Sequence, residues 1–293
     1  MFRLLIAVLT CASLLLAVDP EEHVHKSTPV TSATRLILNV DLGAVEVEPG
    51  TSKSVDVDVY FRGFPSQEDL DRLHRDYKLE VSQQGSDVYV DGSFRNGGES
   101  MAGIWRLLFG WPREVEYRVT VPRNFNAQVK TSGGPISVKD LHGQVDAHTS
   151  GGPIRIDQVA GDIDASTSGG PISLDRDSGR IRAHTSGGSI DIRDATGAVD
   201  ASTSGGAVTA SLIGQPREDC RLYTSGGGID VSLRKNIHVD LDASTSGGEV
   251  WTDFPVPSRG ERHSRELHAP VNGGGPLLYL HTSGGGISIR QAD

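Results

Sequence analysis

Thr149-Ser150-Gly151-Gly152-Pro153-Ile154-Arg155-Ile156 is one copy of a phrase that the chain repeats, and the period of that phrase decides the fold. Thr-Ser-Gly-Gly begins at Thr131, Thr149, Thr167, Thr185, Thr203, Thr224, Thr245 and Thr282. The first five copies are 18 residues apart, the next two steps are 21, and the last is 37. Self-similarity at a fixed period means one supersecondary unit stacked on itself.

With each Thr as position zero, apolar residues fill four columns. Val145, Ile163, Ile181, Val199 and Cys220 stand four residues before it, and Ala147, Ala165, Ala183 and Ala201 two before. Ile136, Ile154, Ile172 and Ile190 stand five after it, and Val138, Ile156, Leu174 and Ile192 seven after. Alternation at period two on both sides of the Thr predicts two short strands per repeat that share one core. The fold expected is all-β: a parallel β-solenoid of ~18-residue rungs, eight of them giving a rod of roughly 38 Å at ~4.8 Å per rung. Alternation turns the Thr inward, where hydroxyls can bond along the stack, and leaves the Ser outside or capping the turn. The Gly pair is expected to turn the corner at positive φ, with Gly143, Gly161, Gly179 and Gly197 at a second corner. Pro135, Pro153 and Pro171 belong at a strand start, since Pro cannot donate to a ladder. Cys220 occupies a core column and reads as a small buried hydrophobe.

Outside the repeats, Arg3 followed by the apolar run Leu4 to Leu16 reads as a secretory signal over residues 1–17, cleaved near Ala17. The polar stretch 18–34, with Pro20 and Pro29, reads as a linker. Residues 35–124 read as a β-rich N-terminal cap: alternating valines and leucines from Leu36 to Val59, strands near Leu79 and Val88, and a strand Val115 to Val121. Ser66 can cap one short helix whose Leu70, Leu73 and Tyr77 form an apolar stripe. His74 beside that stripe is expected to be packed or solvated. Residues 125–293 form the repeat domain.

Two segments break these patterns. Residues 101–112 carry Trp105, Phe109 and Trp111, either as an apolar wedge for a membrane or partner, or as a loop folded over an open end of the core. The second is preferred, because the edge of stacked strands must be covered. After Phe254 comes a polar excursion to Gly275 with Arg259 and Arg262, expected as a loop. These five residues are the candidate partner contacts.

The formal net charge is −10, which argues against nucleic acid and against charge-driven docking on anionic lipid. No phosphate loop, dinucleotide fingerprint, zinc spacing or Gly-x-Ser-x-Gly elbow is present, so no cofactor, metal or catalytic set is assigned. A calcium β-roll would place Asp where Val138, Ile156, Leu174 and Ile192 stand. Three residues before each Thr, the column Asp146, Asp164, Arg182, Asp200, Arg221, Asp242 reads as a solvated charge ladder. His148 and His184 would lie ~10 Å apart, too far to share a zinc ion.

The chain resembles the bacterial putative-adhesin domain family, on Gly43-Ala44-Val45-Glu46-Val47, Val119-Thr120-Val121-Pro122, the Thr-Ser-Gly-Gly-x-Ile rungs and Asn272-Gly273-Gly274-Gly275. The resemblance covers roughly Leu36 to Arg290. It implies a β-solenoid and an exported, envelope-associated, non-enzymatic protein, periplasmic, surface-bound or secreted. Its partner would be a protein or polysaccharide of the envelope or the exterior. A carbohydrate-active β-helix enzyme and an envelope-stress sensing or regulatory module are the rivals. Ice binding would need an outward Thr face.

Overall fold

The apolar columns become the core. In the computed structural model, which describes residues 22–30, 34–63, 66–94, 114–255 and 265–292, the side chains of all four columns are buried from Val138 to Ile289, apart from the partly buried Thr252 in the final rung. Cys220 is buried among them as a free thiol.

The N-terminal region contains β1 (Glu22–Pro29), β2 (Arg35–Val40), β3 (Ala44–Gly50), β4 (Ser54–Arg62), α1 (Gln67–Asp76), β5 (Tyr77–Gln84), β6 (Asp87–Phe94) and β7 (Glu114–Pro122). The regular repeats follow as strand pairs: β8 (Asn126–Thr131) and β9 (Ile136–Lys139), β10 (Val145–Thr149) and β11 (Ile154–Asp157), β12 (Ile163–Thr167) and β13 (Ile172–Asp175). Next come β14 (Ile181–Thr185) and β15 (Ile190–Ala195), β16 (Val199–Thr203) and β17 (Val208–Leu212), β18 (Cys220–Thr224) and β19 (Ile229–Arg234). The chain ends with β20 (Val239–Thr245), β21 (Val250–Thr252), β22 (Glu266–Val271), β23 (Leu277–Thr282) and β24 (Ile287–Ala292).

These strands form two 12-stranded sheets, ordered β1-β4-β7-β3-β9-β11-β13-β15-β17-β19-β24-β21 and β22-β20-β23-β18-β16-β14-β12-β10-β8-β2-β6-β5. Pairing through the body is parallel and in register, Thr149 against Thr167 and Thr167 against Thr185. Only the ends are antiparallel: β1 on β4, β4 on β7, β5 on β6 and β22 on β20. The core lies between the two sheets.

Three features differ from the sequence-based expectation. First, sequence order is not spatial order. The rung β2/β3 lies between β6/β7 and β8/β9, and the rung β23/β24 lies between β18/β19 and β20/β21. The described residues therefore stack ten rungs rather than eight, about 48 Å at ~4.8 Å each. The region 35–124 supplies two of them and is continuous with the stack, more than a cap laid on it. Second, the expected linker contains strand β1, which pairs residue by residue with β4 from Glu22 on Phe61 to Pro29 on Ser54. His23 Nε2 and His25 Nδ1 lie 2.6 and 2.8 Å from Asp58 Oδ1, and these cross-strand contacts brace a segment with little apolar content. Likewise, the expected loop after Phe254 contains β22, antiparallel to β20.

Third, the Gly pairs do not turn at positive φ, and at the second corner only Gly179 does. The requirement for the second glycine of each pair is one of crowding. A Cβ on Gly152 would lie 2.1 Å from Gly134 O, and one on Gly170 2.0 Å from Gly152 O, because each turn stacks directly on the turn below. The left-handed positions are instead Asp140, Gln158, Arg176 and Asp194, nine residues after successive Thr, with φ of 53°, 58°, 55° and 52°.

The Thr column is buried, as alternation requires. From Thr149 onward each hydroxyl works twice. Thr167 Oγ1 donates to Gly152 O at 3.0 Å on the rung below and accepts from Gly170 N–H at 3.3 Å in its own turn. The corner thus satisfies a buried carbonyl and a buried amide with one side chain. Helix α1 packs Leu70 and Leu73 into the core, and His74 meets the Phe61 ring edge-on at 5.4 Å.

Candidate functional site

Because the core columns point inward, the residues between them form flat outward rows with one residue per rung. On the sheet containing β8 to β18, the row three before each Thr runs Asp146, Asp164, Arg182, Asp200, Arg221, Tyr279, Asp242 in space. Asp164, Arg182, Asp200 and Arg221 alternate in sign on adjacent strands, which keeps like charges from stacking over that stretch. Asp146 faces Asp164 instead, and its carboxyl is raised above the usual range, by burial first and then by that neighbour.

The row one before each Thr runs His148, Ser166, His184, Ser202, Tyr223, His281, Ser244, alternating large and small except where Tyr223 meets His281. His148 Nδ1 lies 2.7 Å from Ser166 Oγ, His184 Nδ1 2.9 Å from Ser202 Oγ, and His281 Nδ1 2.9 Å from Ser244 Oγ. A Ser–His contact repeated along the sheet is a cross-strand brace, and among the described residues no carboxylate hydrogen-bonds to these imidazoles to orient them as a catalytic triad requires.

Placing β23 beside β18 gathers an aromatic cluster that the sequence keeps apart. Tyr223 and His281 lie opposite each other with ring centroids 5.6 Å apart and 12° between planes, and Tyr279 is 6.2 Å from His281 at the same angle. The Arg221 guanidinium sits 5.8 Å from the Tyr223 ring and 5.7 Å from the Tyr279 ring. Asp200 and Ser202 border this square on one side, Asp242 and Ser244 on the other. Its surface can stack flat rings and exchange hydrogen bonds.

One buried polar group was missed. Asp177 occupies the column of Leu141, Val159 and Ala195 and is almost wholly buried. Its Oδ1 accepts from Val159 N–H at 2.8 Å, while Oδ2 has no partner. Burial, reinforced by Asp157 and Asp175, pushes its carboxyl up to about 7. The signal was available: a charged residue in an apolar column. Burial likewise raises the Cys220 thiol, in keeping with a packing role.

The candidate contacts Trp105, Phe109, Trp111, Arg259 and Arg262, and with them any membrane contact through 101–112, lie outside the described residues. Among the described residues no three His, Cys, Asp or Glu side chains converge to hold a metal ion, and no helix is long and apolar enough to cross a membrane.

The family model described as Toastrack DUF4097 matches residues 33–290. The chain belongs to the Toastrack family. Its fold is similar to that of a putative adhesin from Bacteroides fragilis, with a TM-score of 0.50 at 12% identity over 92% of this chain and 97% of that one. A putative adhesin from Parabacteroides distasonis matches at TM-score 0.45 and 11% identity, over 92% of this chain and 97% of the other. A putative cell adhesion protein from Clostridium sporogenes matches at 0.33 and 14%, over 93% and 100%. At such identities the B. fragilis structure speaks for the fold alone. No curated protein matches the sequence. The Toastrack stack of this chain is defined by its ladders.

Proposed function

We propose that this Toastrack protein is an exported, non-enzymatic, adhesin-like module of the cell envelope that binds by many weak contacts along a rigid face. One observation carries this reading: outward side chains such as Asp164, Arg182, Asp200 and Arg221 stand in register on successive strands. A repetitive ligand meets an acid and a base in turn on adjacent strands, and contacts too weak to hold singly add through effective concentration. The putative adhesins of similar fold are consistent with that use.

The test is fractionation of cells expressing the full chain, followed by retention of the purified protein on isolated envelopes. The expected result is a non-cytosolic protein whose retention falls stepwise as Asp164, Asp200 and Asp242 are changed to Lys together rather than singly. A cytosolic protein, or one whose retention vanishes with any single change, overturns the proposal.

A further inference from the structure

On the sheet that ends β17-β19-β24-β21, the outward column four residues after each Thr holds Pro135, Pro153, Pro171, Ser189 and Ala207, then Gly228, Gly286 and finally Glu249. Neither Gly228 nor Gly286 is at positive φ. A Cβ there would stand 3.0 Å from Gly286 O and 3.2 Å from Glu249 O respectively, whereas at the second glycine of each Thr-Ser-Gly-Gly it would come within 1.7 to 2.5 Å of the rung below. The turn therefore does not demand glycine on these two rungs as it does at the corners. What the two missing side chains do is open a shallow groove of about 430 Å³, a size that small ligands fill.

The groove is polar at its sides. Asp230, Glu249, Thr209 and Ser288 line it. Arg290 Nη2 lies 2.9 Å from Asp230 Oδ2, which orients that carboxylate. At the end of the rod stands Trp251, the next outward residue after Glu249 and directly opposite Ser288 across the ladder. Its indole is 48% exposed, the most exposed of the large hydrophobic side chains described.

We propose that this groove is a subsite for a neutral polysaccharide, with one sugar ring laid against Trp251 and its hydroxyls donated to Asp230 and Glu249. Ionised carboxylates are acceptors only, so they select a ligand rich in O–H donors. Arg290 offsets the Asp230 charge, so it is the net charge of −10 that sets uronate, sulfate and phosphate polymers aside. The exposed indole supplies the flat apolar surface that the C–H face of a pyranose needs. An open groove that runs across rungs suits a chain rather than a single small molecule. This inference rests on the proposed binding role and names the ligand class.

The experiment presents the full chain to immobilised neutral hexans, N-acetylhexosamine oligomers, polyuronates and unrelated peptides, alongside isolated envelopes. Trp251→Ala removes the stacking surface and Gly286→Ser fills the floor; both changes lie at the surface, and thermal melts verify folding. The expected result is retention on a neutral glycan that each variant weakens about tenfold or more, with no retention on polyuronates. Absence of binding to any neutral glycan, preference for polyuronate or peptide, or a Trp251→Ala variant that binds undiminished overturns the site. If envelope retention persists in Trp251→Ala, the saccharide site falls and the binding module stands. If the protein ignores envelopes yet binds a glycan through Trp251, the site stands and the envelope role falls.

Discussion

Thr282 donates its hydroxyl hydrogen bond to Gly227 O at 2.6 Å, and Thr245 donates to Gly285 O, also at 2.6 Å. The copy written last in the sequence therefore sits between the two written before it. Removing Leu277 to Asp293 should accordingly do more than shorten the rod. It strips β18 and β20 of their shared neighbour and leaves two long open edges inside the molecule. The expected outcome is loss of cooperative thermal unfolding and rapid proteolysis, followed by circular dichroism and limited digestion. A truncated protein that melts as sharply as the full chain would contradict the interleaved order.

The two glycines of the corner at Thr149 should respond differently to the same change. Around Gly151 an added Cβ meets nothing within 4 Å, whereas at Gly152 it meets Gly134 O at 2.1 Å. Gly151→Ala should leave stability within about 0.5 kcal/mol, and Gly152→Ala should cost about 1–3 kcal/mol or more through overpacking against backbone. Denaturant unfolding of the pair decides it, and equal effects would mean that conformation rather than crowding governs the corner.

Asp177 gives stability an unusual pH dependence. Its carboxyl rises from the ordinary 3.8 to about 7 in the folded chain, so the folded state holds a proton that the unfolded state has already released. Its contribution is full below the unfolded value and declines as pH rises towards about 7, by at most about 1.4 kcal/mol per pH unit. Asp177→Asn keeps an acceptor for Val159 N–H and cannot titrate. The melting temperature of the variant relative to the native protein should climb between pH 4 and pH 8 by several degrees. Parallel curves would remove Asp177 as the cause.

Gln158 sits at φ 58° with its side chain exposed. Left-handed backbone costs a non-glycine residue roughly 1–2 kcal/mol, part of which glycine gives back through unfolded-state entropy. Gln158→Gly should therefore stabilise the protein by up to about 1 kcal/mol. Arg176 holds the same conformation but also pairs with Asp157 at 2.6 Å, so Arg176→Gly should gain less. Chemical denaturation of both variants tests the order.

The lateral logic of each rung was plain in the sequence, because a column that alternates at period two must face a core: Ile154, Ile156, Thr167 and Cys220 all lie where that rule puts them. The vertical order was not plain. Every Thr-Ser-Gly-Gly can stack on every other, so the repeat carries no record of its neighbour, and the gathering of Tyr223, Tyr279 and His281 was invisible for that reason. The Gly pair was misjudged because its cause, the close approach of one turn to the next, is a tertiary contact with no local signature. Strand β22 had one, Leu267, Ala269 and Val271 in alternation, masked by the charges before it. In strand β1 the only aliphatic side chain is Val24, and its pairing rests on polar contacts across to β4.

Both outermost rungs in sequence, β2/β3 and β23/β24, are enclosed by rungs written nearer the middle. A chain emerging N-terminus first from a ribosome or a translocation channel therefore cannot finish its stack in passing. The slot at Thr224 and Thr245 stays empty until β23 and β24 have emerged. Closure of the rod therefore waits on the rung written after both of its neighbours, and a chain stopped before Leu277 leaves β18 and β20 with facing, unpaired edges.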